Sequence, residues 1–331
     1  MKIMVYEARP DERADLEKQA ALHGVELSVT DAVPTLENAS LAAGCIGVSI
    51  LGQGCIDAAL LDADHALGIR YLSTRTIGYD HIDLDHARSI GLRVCSASYA
   101  PNGVADFTVM MILMCLRHYK QALWRGQVND FSLTGLQGRE MKDLTIGIIG
   151  TGRIGAQVVR NLSGFGCRIL AYDLRRNPAV EPQVTYVDFD TLLAQSDVIT
   201  LHMPLLDSNR HIINRESVAK MRDGVVIVNC SRGELADIEA LIEGIETGKI
   251  GALGMDTVEG EEGIIHADHR VDILPNRNWF YLHQFRNVIM TQHMAFYTDA
   301  AVSSMVDCGI GGICQMAAGE SCPTELTGPV Q

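Results

Sequence analysis

The chain has 331 residues, of which 47% are hydrophobic and 21% charged, values ordinary for a soluble globular protein. Its length allows two domains, each with a core of its own. The formal net charge of −14 excludes an extended nucleic-acid surface or anionic-membrane surface, because both need clustered lysine and arginine. A single anion-binding pocket remains compatible with that charge.

The N-terminal residues, the length of the apolar runs and the cysteines indicate a cytoplasmic protein. The N-terminus reaches charged residues within its first ten positions, which is atypical of a signal peptide. The longest apolar run, residues 109–116, is too short to span a bilayer and is typical of a buried core or interface helix. Nine cysteines without a C-x-x-C pair indicate reduced thiols rather than a disulfide framework.

Short β-branched runs alternate with amphipathic stretches in the first part of the chain. The predicted strands are KIMVYE, VELSVT, CIGVSI, IRYLST and LRVCS, and helical patterns such as DERADLEKQAALHG lie between them. This alternation is typical of parallel sheets wound through right-handed crossovers. The predicted fold class is therefore α/β.

The second part of the chain repeats the alternation after a long helix predicted to begin at Pro101 and Asn102. A new series of strands opens with LTIGIIG and closes near VIMTQH. The last helical pattern, TDAAVSSMVDCGIGGICQMAA, precedes a tail rich in Pro, Thr and Gly. We expect this tail to be loosely held.

A glycine-rich loop follows the first strand of that second series. Gly150, Gly152 and Gly155 form a G-x-G-x-x-G motif between an apolar strand and an amphipathic helix. The first glycine permits a tight turn, the second lets the backbone approach a pyrophosphate, and the third lets the helix pack on the strand. The N-terminus of the helix favours the phosphates. This context predicts a dinucleotide site.

The strand after this loop ends in an acid that bears on the choice of cofactor. Asp173 lies 18 residues after Gly155, where a carboxylate binds the ribose hydroxyls. Because that carboxylate repels a 2′-phosphate, NAD is expected rather than NADP. Arg175 and Arg176 leave an NADP alternative open, since either is able to pair with the phosphate, although we expect solvated loop residues there.

Polar side chains follow several of the later strands. Arg232 comes shortly after the β-branched run of residues 225–228, before a helix predicted from Glu234, while Asp256 and His293 follow two further strands. The carboxyl ends of parallel strands share one edge, where open α/β sheets bind ligands. Arg232, Asp256 and His293 are therefore expected to converge near the nicotinamide end of the cofactor.

These residue types suit hydride transfer to a carbonyl group. Histidine is able to protonate the developing alkoxide. A nearby carboxylate stabilises the imidazolium, and the candidates are Glu259, Glu261 and Glu262. A planar guanidinium such as that of Arg232 binds a substrate carboxylate in a bidentate pair.

Seven motifs in order resemble the D-isomer-specific 2-hydroxyacid dehydrogenase family over nearly the whole chain. They are STRTIGYDHIDL, SYAPNGVADFT, GIIGTGRIG, TLHMPLLDSNRHIIN, VNCSRGEL, MDTVEGEEG and TQHMAFYTDAA. Within the family the chain is most similar to D-lactate and (R)-2-hydroxyisocaproate dehydrogenases and to the D-lactate dehydrogenases of vancomycin-resistance clusters. The resemblance implies an NAD-dependent reduction of a 2-oxo acid, from pyruvate to larger acids, to the (R)-2-hydroxy acid.

The resemblance also implies roles for individual residues. Arg232 binds and polarises the substrate, His293 is the acid and base, and Glu261 is its partner. Substrate contacts fall on the backbone N–H groups of a loop and on two aromatic side chains, besides Arg232: Ile77, Gly78, Tyr79, Tyr99 and Phe296. Cofactor contacts fall on Gly150, Gly152, Arg153, Ile154, Gly155, Asp173, Met203, Pro204, Asn209, Cys230, Ser231, Arg232, Asp256 and His293.

By the same resemblance the chain has two Rossmann-like domains with a cleft between them. Residues 1–100 and 298–331 form a flavodoxin-like catalytic domain, and residues 101–297 form the NAD-binding domain. Members of this kind are homodimers through the coenzyme domain, which suits the apolar helix 104–116. The stretch around Leu51 is less polar than is usual in D-lactate dehydrogenases, which leaves the size of the substrate open.

Two alternative functions and two alternative roles of individual residues remain beside this interpretation. An aromatic or branched-chain 2-oxo acid reductase belongs to the same chemistry, whereas an NAD(H)-sensing corepressor belongs to another class. The histidine pairs His266/His269 and His81/His86 permit a zinc site, but no metal is expected because His293 serves as the acid. Cys230 is interpreted as a buried thiol of the cofactor loop rather than a nucleophile, since no base is apparent nearby.

Overall fold

The computed structural model describes residues 1–274 and 276–328. The chain divides into two compact units. The first unit holds residues 1–100 and the C-terminal residues from 297 onward, and the second holds residues 101–296. Each unit is built on a parallel sheet of its own, as the alternating sequence pattern predicts.

Five parallel strands form the sheet of the first unit: β1 (Lys2–Val5), β2 (Glu26–Val29), β3 (Gly47–Ile50), β4 (Tyr71–Thr74) and β5 (Arg93–Cys95). Their order is β2-β1-β3-β4-β5, the order of flavodoxin-like sheets. The direction of winding reverses between β1 and β3, so the loops that follow these two strands flank the switch point where such sheets bind ligands.

Four helices cover this sheet: α1 (Arg13–His23), α2 (Ala58–Ala66), α3 (Leu84–Ser89) and α11 (Asp299–Ala317). Among the described residues, α11 is the one helix long and apolar enough to cross a membrane. Its Val306, Ile310 and Ile313 pack with Ile3 and Val5 in a buried cluster, as the apolar stripe of a core helix does.

The tail after α11 is ordered against the first sheet as far as residue 328, so the expectation of a loosely held tail is wrong for the part described. Arg93 and Glu325 form a two-pronged ion pair with N–O distances of 2.8 and 2.6 Å. Backbone bonds join Leu326 N to Val94 O and Ser96 N to Thr324 O. The tail thus satisfies the free side of the edge strand β5. Residues 329–331 lie outside the described residues.

Seven parallel strands form the sheet of the second unit: β6 (Thr145–Ile149), β7 (Arg168–Tyr172), β8 (Thr185–Tyr186), β9 (Val198–Leu201), β10 (Val225–Asn229), β11 (Ile250–Met255) and β12 (Val288–Met290). Their order is β12-β11-β10-β9-β6-β7-β8, with the switch point between β6 and β9. The strand β8 has two residues, too few to give a hydrophobic pattern, and the sequence did not predict it.

The helices of the second unit are α4 (Asn102–Leu116), α5 (Tyr119–Gln127), α6 (Arg153–Ser163), α7 (Phe189–Gln195), α8 (Arg215–Lys220), α9 (Ile238–Glu246) and α10 (Arg277–Gln284). The helix predicted from Glu234 begins instead at Ile238, after a single 3-10 turn at Gly233–Leu235. The side chain of Asp237 accepts a hydrogen bond from Glu239 N and so caps α9, which sets its start.

Candidate active site

The glycine motif lies between β6 and α6, in the turn at the switch point of the second sheet. Gly150 has a φ of 94° and passes so close to β9 that an added Cβ would lie 2.5 Å from His202 O. A Cβ on Gly155 would lie 1.9 Å from Gly150 O. The protein itself therefore requires glycine at both positions. A Cβ on Gly152 would meet no atom of the described residues within 4 Å, so packing does not account for that glycine.

Asp173 lies just after β7, beside the start of this turn. Its Oδ2 accepts hydrogen bonds from Thr151 N at 2.6 Å and Thr151 Oγ1 at 3.1 Å, and its Oδ1 accepts one from Arg175 N at 2.9 Å. Arg176 places its guanidinium over the ring of Tyr186, 5.5 Å from the centroid. The carboxylate is thus fixed at the end of β7, directly beside the glycine turn.

Residues after β9 and β10 meet at the same edge. Ser231 Oγ donates to Met203 O at 2.6 Å, and Asn209 Nδ2 donates to Pro204 O at 2.8 Å. Arg153 and Ile154 open α6, whose N-terminus faces this edge. Burial raises the pKa of the Cys230 thiol, which keeps the sulfur protonated and unreactive. The structure thus brings together the cofactor residues expected on the turns after β6, β9 and β10.

His293 and Glu261 form a hydrogen-bonded pair at the far side of this edge. Nδ1 of His293 lies 2.7 Å from Oε1 of Glu261, and the other carboxylate oxygen accepts a hydrogen bond from Val258 N at 2.8 Å. His293 has a φ of 51°, in the left-handed region where non-glycine residues are uncommon. An unusual backbone conformation held at a titratable side chain is typical of functional sites.

Among the three glutamates that the sequence left open, Glu261 is the one paired with His293. Glu259 instead accepts from His211 Nε2 at 2.7 Å and from Arg210 Nη2 at 3.2 Å. Glu262 is exposed. The spacing of the acids does not distinguish them, because their side-chain directions depend on the turn that follows β11.

Asp256 has a role that sequence reasoning missed. It is buried at the end of β11, and its Oδ1 accepts from Thr291 Oγ1 at 2.5 Å and Met294 N at 2.9 Å. Its Oδ2 accepts from Ala295 N at 2.8 Å. The carboxylate therefore fixes the loop that carries His293. An acid directly after a buried strand was the available signal, since such a charge must find partners nearby.

Arg232 lies in the turn after β10, and β10 is the strand next to β11. Its backbone carbonyl accepts from Asn229 Nδ2 at 2.7 Å, and its Nη1 donates to Ser231 O at 2.9 Å. A Cβ on the following Gly233 would lie 2.2 Å from Val258 C, so this turn packs closely on the turn that leads to Glu261. Arg232, Asp256 and His293 therefore follow three neighbouring strands, as the sequence predicts.

The expected substrate residues belong to both units. Phe296 lies beside His293, with ring centroids 6.4 Å apart. Ile77, Gly78 and Tyr79 follow β4 in the first unit, where Thr76 Oγ1 donates to Gly78 O at 2.6 Å. Tyr99 follows β5 of the same sheet. Each of these groups lies beyond the carboxyl ends of strands of its own sheet.

The histidines considered for zinc have other neighbours. His86 pairs with Asp62 at 2.8 Å and His269 with Asp272 at 2.8 Å. His81 Nε2 lies 3.3 Å from Thr74 Oγ1, and His266 Nε2 lies 3.3 Å from the carbonyl oxygen of His293. Across residues 1–274 and 276–328, no group of three or more His, Cys, Asp or Glu side chains is placed to hold a metal ion.

Comparison with known proteins gives a consistent result. The family model described as "D-isomer specific 2-hydroxyacid dehydrogenase, NAD binding domain" matches residues 109–295. An aromatic 2-oxoacid reductase of Clostridium sporogenes is 42% identical over 311 residues, 93% of each chain. The D-lactate dehydrogenase of Escherichia coli K12 is 37% identical over 98% of this chain and 100% of its own. The NAD-complexed D-isomer-specific 2-hydroxyacid dehydrogenase of Lactobacillus delbrueckii is 30% identical, with a TM-score of 0.82 over 98% of this chain and 100% of its own.

Proposed function

Because the chain belongs to the D-isomer-specific 2-hydroxyacid dehydrogenase family and contains the family's NAD-binding domain, we propose that Arg232, Glu261 and His293 are its catalytic residues. The observation that carries this proposal is the 2.7 Å contact between His293 Nδ1 and Glu261 Oε1, one strand away from the turn that bears Arg232. The reaction is the reversible reduction of a 2-oxo acid to its (R)-2-hydroxy acid.

The residues of the glycine turn fit the cofactor. Since no protein atom requires a glycine at position 152, close approach of a pyrophosphate supplies the reason for it. The N-terminus of α6 would hold the phosphates of the cofactor, and Asp173 would accept hydrogen bonds from its ribose hydroxyls. Met203, Pro204, Asn209, Cys230 and Ser231 line the remainder of the site. Bound NADH supplies the hydride for the carbonyl carbon.

Arg232 orients the 2-oxo acid. Its guanidinium donates two parallel hydrogen bonds to the substrate, which holds the carboxylate and polarises the neighbouring carbonyl group. We also assign substrate contacts to Ile77, Gly78, Tyr79, Tyr99 and Phe296, as the family resemblance implies. Such positioning converts part of the binding energy into a lower barrier for hydride transfer.

His293 supplies the proton. Nδ1 faces Glu261, so Nε2 is the nitrogen that protonates the developing alkoxide in reduction and accepts the proton in oxidation. The ionised Glu261 stabilises the imidazolium and fixes the ring, and its own second oxygen is held by Val258 N. Asp256 adds a further constraint because it accepts hydrogen bonds from the Thr291 side chain before His293 and from Ala295 N after it.

The substrate is a 2-oxo acid with an apolar side chain. Leu51, in the loop after β3, is buried and carries no polar atom on its side chain. Pyruvate and 2-oxo acids with larger alkyl groups fit such surroundings. Phenylpyruvate is the second candidate, since the 42% identical relative is an aromatic 2-oxoacid reductase.

The test is steady-state oxidation of NADH with pyruvate, 2-oxobutyrate, 2-oxoisocaproate and phenylpyruvate, for the wild type and for His293→Gln. We expect turnover of at least one acid by the wild type and almost none by the variant. His283→Gln, on α10, is a matched control that should retain activity. Binding of NADH without turnover of any acid would favour a sensing protein and contradict the proposal.

We infer a homodimer formed through the second unit. Exposed apolar side chains follow one another on α5 and the loop after it: Leu123, Trp124, Val128, Phe131 and Leu133. A groove between α4 and the end of α6 is lined by Val109, Met110, Leu113 and Phe165, among others. Exposed apolar side chains and an apolar groove of this kind are typical of a subunit interface. A monomer in light scattering would contradict the inference.

We place the protein in the cytoplasm. All nine cysteines are free thiols, five of them buried, which suits a reducing compartment. Fluorescence of a tagged full-length chain in cells checks this placement.

A further inference from the structure

Glu7 is an unusual residue in the first unit. It is the second residue after β1, adopts a φ of 55°, and is only 3% exposed. Its N–H donates to Ala32 O at 3.1 Å, and its carbonyl accepts from Arg75 Nη2 at 3.4 Å. A non-glycine residue in the left-handed region has an unfavourable backbone conformation, and burial of a charged side chain adds a desolvation cost. Its surroundings must therefore hold it firmly.

The carboxylate of Glu7 is held by three consecutive backbone N–H groups in the loop after β3. Its Oε2 accepts from Leu51 N and, at 2.8 Å, from Gly52 N. Its Oε1 accepts from Gln53 N at 2.8 Å. Successive N–H groups that converge on one anion form the kind of cradle that binds phosphates and carboxylates. Here the anion is an internal side chain.

This cradle lies at the switch point of the first sheet. Glu7 follows β1 and the loop of residues 51–53 follows β3, and the winding reverses between these two strands. Open α/β sheets bind their ligands at such points. The carboxylate of Glu7 therefore fixes the loop in the part of the first unit that is best placed to shape a ligand site.

A chain of contacts joins this loop to the turn of residues 76–79. A Cβ on Gly52 would lie 2.9 Å from Cε1 of His81, so the imidazole packs on the glycine. His81 Nε2 lies 3.3 Å from Thr74 Oγ1, which lies 2.5 Å from Thr76 Oγ1. A displaced loop would therefore disturb the turn that holds Ile77, Gly78 and Tyr79.

We propose that Glu7 is a positioning residue that fixes the loop of residues 51–53 and thereby sets which 2-oxo acids the enzyme prefers. The inference rests on the proposed function, in which residues 77–79 bind the substrate carboxylate. It assigns no contact between Glu7 and the substrate. The effect of Glu7 is on substrate affinity and selectivity, and the proton and hydride steps remain with the second unit.

The first variant is Glu7→Gln, which keeps the size of the side chain. An amide has one acceptor oxygen, and its NH₂ group cannot accept a hydrogen bond. If the amide oxygen takes the place of Oε2, the bond from Gln53 N is lost, and if it takes the place of Oε1, the bonds from Leu51 N and Gly52 N are lost. We expect KM to rise about tenfold for at least one of pyruvate, 2-oxobutyrate, 2-oxoisocaproate and phenylpyruvate, with kcat within about threefold. The ratio of kcat/KM for phenylpyruvate to that for pyruvate should change by about threefold or more.

The second variant, Glu7→Gly, guards against a failure to fold. Glycine adopts the left-handed conformation without strain, so this variant removes the carboxylate and at the same time removes the backbone strain at position 7. It should show the same change in substrate ratios. Glu26→Gln, on the neighbouring strand β2, is the control and should leave every ratio unchanged. The dissociation constant of NADH should stay within about twofold of the wild type in all three variants.

Folded Glu7→Gln and Glu7→Gly variants with wild-type substrate ratios would overturn the inference. A fall in kcat that is equal for all four acids, with KM unchanged, would overturn it too, because it would indicate general damage. A wild type that reduces none of the four acids would instead contradict the proposed function and the inference with it. An active wild type together with Glu7 variants whose substrate ratios are unchanged would contradict the inference alone.

Discussion

The carboxyl ends of the strands in the two sheets both gather charged side chains, but in opposite ways. In the first unit, Arg75 Nε lies 2.9 Å from Glu12 Oε1 and both side chains are 0% exposed. In the second unit, His293 and Glu261 are 2.7 Å apart with side chains 29% and 13% exposed. The distances are similar, while access to solvent differs.

This difference separates charges that hold a fold from charges that carry out chemistry. Arg75 also donates to Ser49 Oγ and Tyr6 O, so the buried pair is closed by further hydrogen bonds. Such a pair fixes geometry at a large desolvation cost and exchanges no proton with a ligand. A histidine paired with a carboxylate at a partly open edge retains a nitrogen for proton exchange. The contact alone therefore does not identify an active site.

The largest effect on stability is expected for Glu12→Gln. This change leaves the guanidinium of Arg75 buried without its counter-charge, which costs about 3–5 kcal/mol of unfolding free energy. Denaturant unfolding measures it. The control is Glu26→Gln, which breaks the exposed pair with Lys2 at 3.1 Å and should cost less than about 1 kcal/mol. Equal losses of unfolding free energy in the two variants would contradict the distinction between buried and exposed charge pairs.

Arg232→Lys is expected to damage catalysis although the charge is kept. Lysine lacks the planar fork, so kcat/KM for the 2-oxo acid should fall about a hundredfold, roughly 3 kcal/mol of transition-state stabilisation. The dissociation constant of NADH and the unfolding free energy should barely change. Arg215→Lys, an exposed arginine on α8, is the control. Near-normal turnover by Arg232→Lys would exclude substrate binding by the guanidinium fork.

The two units should respond to pH in opposite directions. Burial raises the pKa of the Asp64 carboxyl on α2 from 3.8 to about 7, so the folded first unit retains a proton that the unfolded chain releases. Its stability therefore falls as the pH rises from about 4 to about 7. Burial lowers the pKa of His202 from 6.5 to about 3, so the second unit loses stability as the pH falls through that range.

Asp64→Asn tests this contrast. The variant removes the ionisation, so it should be more stable than the wild type at neutral pH by on the order of 2 kcal/mol and should lose the decline between about pH 4 and about pH 7. Thermal unfolding against pH is the measurement. Asp85→Asn, on α3 with an exposed carboxylate, should follow the wild type. If the stability of Asp64→Asn declined with pH as steeply as that of the wild type, the buried Asp64 carboxyl would not be the cause of the decline.

A smaller effect is expected for Asp173→Ser. Removing the carboxylate beside Thr151 removes its repulsion of a 2′-phosphate, so the preference for NADH over NADPH should fall about tenfold. The quantity measured is the ratio of kcat/KM for the two cofactors. Asp190→Ser, on α7, is the control. A wild type that already prefers NADPH would show that the interpretation of Asp173 is wrong.

Local features of the sequence predicted much of the second unit's edge. The glycine turn, Asp173 and the polar residues after β10, β11 and β12 are each read from a strand and its neighbours in sequence. The pairing of Glu261 rather than Glu259 with His293 depends on side-chain directions in one turn, which spacing does not determine. The resemblance to the family was needed to name it.

Less of the first unit could be predicted from the sequence, because its key contacts join distant parts of the chain. Glu7 accepts from residues 51–53, and Arg75 pairs with Glu12, at separations that no periodicity records. The left-handed φ of Glu7 could not be predicted either, because a glutamate does not indicate that conformation as a glycine would. The ordered tail was missed for the same reason, since Glu325 pairs with Arg93 on β5.

The pair of His293 and Glu261 is the centre of this account, and kcat/KM against pH with saturating NADH tests it most directly. Reduction consumes a proton from the imidazolium, so the rate should fall as the pH rises. Since an ionised Glu261 favours the imidazolium, Glu261→Gln should move that fall to lower pH while the dissociation constant of NADH stays unchanged. His293→Gln should be nearly inactive at every pH. A Glu261→Gln profile that coincides with that of the wild type would contradict the account and remove Glu261 from the mechanism.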